Sequence, residues 1–315
     1  MTAVLGLHLG PGHDTGAALV YERGGELACV AIAEERLSRK KHSREFPARS
    51  IRACLDEVGL DPKRLSAVVF EKTVWTHGST WCERVPPTDW THFDEAERAW
   101  FSTIPEVPCY LINHHLAHAA SAWHPTTWPL DGQPGALLVV DGRGSTWNDG
   151  KTGPGGPLHT FAKQDDNRGG TIADDARRLI RLDHRAETQS IFVAKGRDIE
   201  RVEVSLRSGI GFFYAWLTEC VLNFGHMHSG KSMGLAAYGD EHSPTFPRLC
   251  EAAMRGIDTD LTELVLRDYN AGLSFKLRGS DQSPTDRYFA DAAAWGQREL
   301  TECMRYLARR ALTQT

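Results

Sequence analysis

A chain of 315 residues, 41% apolar and 24% charged, is long enough for two cores, and a formal charge of −5 with no dense basic stripe argues against nucleic acid as a partner. No run of eighteen apolar residues occurs and "MTAVLGLHLG" lacks a basic leader, so neither a membrane span nor a signal peptide is predicted. Seven scattered cysteines with no C-x-x-C point to reduced thiols in a cytoplasmic protein, not to a disulfide frame or a zinc knuckle.

Three β-rich runs open the chain, at 3–10, 16–21 and 26–34. The breaks between them, "PGHDT" and "ERGG", are short enough for hairpin turns. A helix is predicted over 47–58, with Ile51, Leu55 and Val58 on one stripe and Pro47 near its start. A buried strand follows at 65–71, then a tryptophan-rich excursion at 75–105 that reads as irregular or helical, then a short strand at 108–112. That strand runs into "NHHLAHAASAWH" (113–124), where Asn113 suits an N-cap and the alanines favour a helix.

The pattern restarts with a strand at 135–142, a turn, and a partner strand at 157–163. Residues 165–190 read as a polar, mobile loop, 209–224 as a helix, and 228–240 as a Gly-rich break. A last helix is predicted over about 286–311, with Phe289, Trp295, Leu300, Met304 and Leu307 among its apolar positions. Each half thus begins with a strand, a Gly-containing turn and a second strand, followed by helices. The expectation is two related α/β lobes, 1–125 and 126–315, with a cleft between them. No strand follows the last apolar helix to be covered by it, so the second lobe is expected to be incomplete.

His114 and His118 are i and i+4 on the predicted helix, a spacing that lets two imidazoles share a metal. The alternative is a histidine-rich helix start making polar contacts only. His115 points away from the pair, as a supporting or surface group. "VVDGRGS" ends a buried strand with Asp141, a carboxylate able to ligate a metal, while Gly142 and Gly144 allow a phosphate to approach closely; a plain Asp-Gly hairpin turn is the competing reading. Two histidines and one carboxylate form a facial set suited to non-haem iron, with zinc as the chemical alternative.

"GPGHDTG" places His13 and Asp14 in a tight turn, either structural or acyl- and phosphate-binding with His13 as general base. "EERLSRKKH" reads as a solvated face, or as a phosphate contact by Lys40 or Lys41. Gly225 to Ser232 formally satisfies the Walker pattern, but it follows a helical stretch and not a strand. A flexible loop with Gly230 and with Lys231 facing a phosphate is the safer reading.

Taken in order over about residues 5–240, "GHDTGAALV", "EERLSRKKH", "NHHLAHAASAWH", "LLVVDGRG", "GIGFFY" and "GKSMGLAAYG" resemble the O-carbamoyltransferases of nodulation and antibiotic biosynthesis. The resemblance implies an N-terminal domain similar to the tRNA threonylcarbamoyl-transfer protein, with the duplicated actin/hexokinase fold. That domain binds iron and transfers a carbamoyl group to a hydroxyl of a small molecule. A C-terminal YrdC-like domain makes carbamoyl-adenylate from carbamoyl phosphate and ATP.

By the same resemblance His114, His118 and Asp141 are ligands of Fe(II), His13 beside Asp14 is the base near the acceptor, and Lys40 or Lys41 contacts an anion. The sequence departs from the family in having Ser145 where many members have an acid. It also stops before the family's next Gly-rich turn, a further metal-binding aspartate and the YrdC-like domain. These are expected in cis on a longer chain or in trans on another, and the 315 residues alone are not expected to make carbamoyl-adenylate. A tRNA threonylcarbamoyl transferase and a catalytically incomplete scaffold of the same fold are the alternatives. The negative charge disfavours the first of these.

Overall fold

The computed structural model describes residues 2–9, 14–72, 81–85, 93–126, 132–142, 144–145, 186–207, 209–225, 228–259, 261, 264–265, 275–283 and 285–315. They form two compact units. The first runs to Ala117 and takes in Ser145; the second holds His118–Gly144 and the described residues from Ala186 onward.

The first unit is built on a mixed sheet. β1 (Ala3–His8), β2 (Gly16–Arg23) and β3 (Glu26–Ala33) form an antiparallel meander, as the three opening runs predict. β4 (Ala67–Glu71) lies parallel to β1, β6 (Cys109–Ile112) lies parallel to β4, and β5 (Cys82–Val85) pairs antiparallel with β6. The sheet order is β3-β2-β1-β4-β6-β5. Along β1, Ala3, Leu5 and Leu7 are buried while Val4, Gly6 and His8 are not fully so, the period-two alternation of a strand with one face on a core.

After the short helix α1 (Glu34–Ser38), α2 (Ala48–Val58) packs on β2 and β3, adding Ile51, Cys54 and Leu55 to that core. Gly59 ends α2 at φ 63°, a left-handed cap that a β-carbon would strain. The acids of "EERLSRKKH" are not simply a solvated face. Glu34 is buried, and its carboxylate accepts the backbone N–H and the hydroxyl of Ser50, both at 2.9 Å, in the first turn of α2. A helix N-terminus leaves such donors unsatisfied, and an anion there answers both them and the helix dipole.

The tryptophan-rich excursion is more ordered than expected where it is described. It holds β5, and then α3 (Glu95–Phe101) opened by an Asp94–Glu97 capping box. Phe70, Phe93 and Phe101 cluster with ring centroids 5.0–5.6 Å apart. Buried Lys72 reaches both Glu97 oxygens at 2.7 Å.

The second unit carries a three-stranded antiparallel sheet of β7 (Gly135–Val140), β8 (Gln189–Lys195) and β9 (Asp198–Ser205). The partner strand expected at 157–163 lies outside the described residues, and the observed partner of β7 is β8. The loop expected at 165–190 lies outside them up to residue 185, and its end, Gln189 and Ser190, is strand. α5 (Ile210–Trp216) runs into a π-helical turn at Leu217–Val221, inside the helix predicted at 209–224.

The Gly-rich break predicted at 228–240 is largely a helix, α6 (Ser229–Ala236). Its buried Ser232 and Leu235 face the core, and the Ser232 hydroxyl lies 2.8 Å from that of Thr218, so packing overrides the low helix propensity of Gly230 and Gly234. The short helix α7 (Cys250–Ala253) leads into a two-stranded ribbon, β10 (Met254–Arg255) and β11 (Asp258–Thr259).

The long helix α8 (Arg287–Leu312) matches the last predicted helix and buries Phe289, Trp295 and Leu307. Leu300 is partly buried, whereas Met304 faces solvent. Buried Glu299 accepts the backbone N–H groups of Leu249 and Cys250 and so caps α7.

All seven cysteines are free thiols, and among the described residues no helix is long and apolar enough to cross a membrane. Gly239 permits the tightest backbone approach onto α8, since a β-carbon there would lie 2.0 Å from the Ala290 carbonyl oxygen. Gly239→Ala is expected to cost at least about 1–3 kcal/mol through overpacking, read as a lower urea midpoint at unchanged slope.

Candidate metal centre

The site grows from the end of the first sheet. β6 delivers Asn113, whose Oδ1 accepts the Leu116 N–H at 2.9 Å and whose carbonyl accepts that of Ala117, also at 2.9 Å. The Ser145 hydroxyl accepts the His114 N–H at 3.0 Å. With these donors satisfied, α4 (His114–Trp123) starts where the Asn113 cap predicts. His114 and His118 stand one turn apart on one face, the first side chain 12% and the second 53% exposed. His115 is fully buried, so the surface position open to it at the sequence level is excluded.

In the first unit His114 leans on a buried carboxylate. Its Nδ1 is 3.0 Å from Glu71 Oε1, while Glu71 Oε2 is 2.9 Å from His8 Nδ1. His8 and Glu71 are register partners at the ends of parallel β1 and β4. Burial alone would raise the Glu71 carboxyl, but the hydrogen bonds from His114 and His8 outweigh it and hold the group at about 2.

In the second unit Asp141 follows β7 directly. Its N–H donates to the Thr188 carbonyl at 2.9 Å, which extends the β7–β8 ladder by one bond, and its Oδ1 accepts the Gly142 N–H. Its Oδ2 lies 3.7 Å from His118 Nε2. Gly211, in the first turn of α5, approaches so closely that a β-carbon would be 2.8 Å from the Asp141 carbonyl oxygen. That contact accounts for one glycine of "GIGFFY". His118 and Asp141 thus stand together in the second unit, while His114, one helical turn earlier on α4, belongs to the first.

Two imidazole nitrogens and a carboxylate oxygen suit a divalent ion of the iron or zinc type.

The other predicted positions fall as follows. His13 lies outside the described residues. Asp14 has φ 63°, and its Oδ1 is 3.1 Å from His42 Nδ1; with Glu35 the two form a second Asp–Glu–His group. Lys40 is exposed and pairs with Glu45, and Lys41 is exposed. The Gly144 N–H donates to the Glu187 carbonyl at 2.6 Å. Gly230 and Lys231 sit on α6, not on a flexible loop, and the Lys231 ammonium is 6.0 Å from the Phe224 ring centre. His8 and Glu71 escaped sequence reasoning. The available signal was position, since "GLHLG" and "VVFEK" put polar groups at the carboxyl ends of parallel strands, where α/β sheets gather ligands.

The mixed sheet of the first unit makes this an α/β protein, and comparison shows what it is similar to. Residues 3–85, β1 through β5, match the family described as Carbamoyltransferase N-terminus. An uncharacterized protein of Synechocystis sp. (strain ATCC 27184 / PCC 6803 / Kazusa) is 33% identical over 172 residues, covering 46% of this chain and 26% of that protein. Nodulation protein NolNO of Sinorhizobium fredii (strain NBRC 101917 / NGR234) is 27% identical over 169 residues, covering 49% of this chain and 23% of NolNO. The matched stretch spans about a quarter of the length of each of these relatives. The first strands of the chain are therefore similar to the N-terminus of carbamoyltransferases.

Asn113→Ala removes the side-chain cap of α4 and is expected to cost about 1 kcal/mol of stability, measured by urea unfolding. The Glu71 carboxyl sits lower in the folded protein than its ordinary value of 4.5, so its stabilisation is present above pH 4.5 and lost as pH falls toward about 2. Glu71→Gln is expected to flatten the loss of stability across that acid window, followed by denaturant titrations at stepped pH.

Proposed function

We propose that this chain is the transfer portion of an O-carbamoyltransferase, which moves a carbamoyl group from carbamoyl-adenylate to a hydroxyl of a small-molecule acceptor. The observation that carries the reading is the His118–Asp141 pair, one helical turn from His114 on α4, in a chain whose first strands match the carbamoyltransferase N-terminus. The successive antiparallel meanders β1–β2–β3 and β7–β8–β9 support a duplicated actin/hexokinase-like architecture. The carbamoyl-adenylate, made from carbamoyl phosphate and ATP, comes from a YrdC-like domain in cis or in trans. The free thiols fit a reducing cytoplasm.

In the transfer, the acceptor oxygen bonds to the carbamoyl carbon, the bond from that carbon to the phosphate oxygen breaks, and AMP leaves. His13 takes the proton of the attacking hydroxyl, beside its chain neighbour Asp14. Lys40 or Lys41, with Lys231, offsets charge on the phosphate. Gly142, Gly144 and Gly230 carry no side chain to hold that anion away from the backbone. His114, His118 and Asp141 hold a divalent ion, Fe(II) or zinc, which when bound supplies Lewis-acid stabilisation of charge on the carbonyl and leaving oxygens.

Metal analysis tests the reading. The purified chain is expected to bind a single Fe(II) or Zn(II), and His118→Ala and Asp141→Ala are expected to abolish binding while leaving the circular-dichroism spectrum unchanged. Supplied with carbamoyl-adenylate, the same variants are expected to lose transfer to hydroxyl acceptors by at least about 100-fold. A well-folded wild-type chain that takes up no divalent ion would overturn the metal assignment and favour a scaffold.

A further inference from the structure

A second set of polar groups, unused by the metal reading, lines a cleft on the second unit. It lies between residues 241–248 and the middle of α8, and its volume is about 200 Å³. A single water needs roughly 10–15 Å³, so the space admits a small organic molecule.

The walls are held in place by buried bonds. The Arg298 guanidinium, 7% exposed, donates to the carbonyls of Glu241 and Pro247 and to the Glu299 carboxylate. The Trp295 indole N–H donates to the Pro247 carbonyl at 2.7 Å, and Glu299 accepts the Leu249 and Cys250 N–H groups. The loop is thereby pinned to α8 before any ligand arrives, which lowers the entropic cost of binding.

The charges define the ligand. Arg298 is neutralised by Glu299, and Arg305 by Glu302 at 2.7 Å. Arg248 and Glu241 remain, both exposed and both lining the cleft. Among the described residues the Arg248 guanidinium makes no hydrogen bond or ion pair, and the Glu241 carboxylate meets only exposed His242, at 3.5 Å. A cation and an anion thus face one space without meeting each other. A guanidinium binds a carboxylate through two parallel N–H donors, and a carboxylate in turn accepts from an ammonium group. The Tyr214 hydroxyl donates to Gln297 Oε1 at 2.9 Å, which leaves the Gln297 amide nitrogen as a further donor. A net anion fits less well, because the three guanidinium groups here are matched by three carboxylates.

We propose that this cleft binds a small zwitterion of the amino-acid class, its carboxylate on Arg248 and its ammonium on Glu241. The proposal is independent of the metal reading, since the two share no residue.

Two-dimensional NMR of the folded chain tests it, with glycine, β-alanine and 4-aminobutyrate as probes of increasing charge separation. At least one is expected to shift the Arg248 side-chain N–H and Gln297 amide signals saturably, with a Kd of about 1 mM or tighter. Acetate and methylammonium, with one charge each, are expected to bind at least about 10-fold more weakly. Arg248→Gln and Glu241→Gln are each expected to weaken the best probe by at least about 10-fold. Arg309→Gln, on α8 but outside the cleft lining, is expected to leave that affinity unchanged.

No saturable shift with any of the three probes would overturn the proposal. So would acetate or inorganic phosphate binding as tightly as the best zwitterion, which would make the cleft a simple anion site. An affinity unchanged in Arg248→Gln or in Glu241→Gln would overturn it as well. Should either variant fail to fold, the wild-type comparison of zwitterion with acetate, methylammonium and phosphate decides the matter.

Discussion

A carboxylate buried at the end of a parallel sheet is costly, and in this protein the cost is offset by two histidines. Taking an ion such as Glu71 out of water costs several kcal/mol unless partners replace the lost hydration. His8 and His114 approach its two oxygens, at 2.9 and 3.0 Å. One charge thereby ties the ends of β1 and β4 to the first turn of α4. The histidine helix cannot shift along its axis without leaving that charge uncompensated.

From that anchor α4 carries the second histidine one turn onward, toward Asp141 at the end of β7. The aspartate is placed by backbone constraints and not by a long side-chain network. Its N–H joins the ladder to Thr188, and Gly211 lets the start of α5 press against its carbonyl. Short side chains on strand ends and helix starts are the positions a fold fixes best, which suits a donor set that must hold its geometry.

Much of this could be read in the residues. The strands at the start of the chain, the helix over 47–58, the Asn113 cap and the histidine pair follow from alternation, periodicity and capping chemistry. They appear within a few residues of where those rules place them. Where local rules failed, tertiary packing had taken over. "HSGKSMGLAAYG" has the glycines of a loop, yet it is largely helix because Ser232 and Leu235 have a core to enter. β5 hid in a tryptophan-rich stretch because its pairing with β6 is a long-range fact. β8 lay partly inside a segment whose polarity suggested a loop.

Glu34 and Glu71 show the same limit in the site region. Each reads as an ordinary acid in sequence, and only the fold reveals that one caps α2 and the other holds a histidine ring. By contrast, Asp141 could be singled out because a carboxylate followed by glycine at a strand end is already an unusual local pattern.

The account stands on the two histidines and the aspartate acting as one ligand set. X-ray absorption at the metal edge of the Fe(II)- or Zn(II)-loaded chain tests this most directly. The account predicts the outer-shell scattering of two imidazoles together with carboxylate oxygen, with one imidazole lost in His118→Ala. A first shell of oxygen alone, unchanged by that substitution, would contradict it.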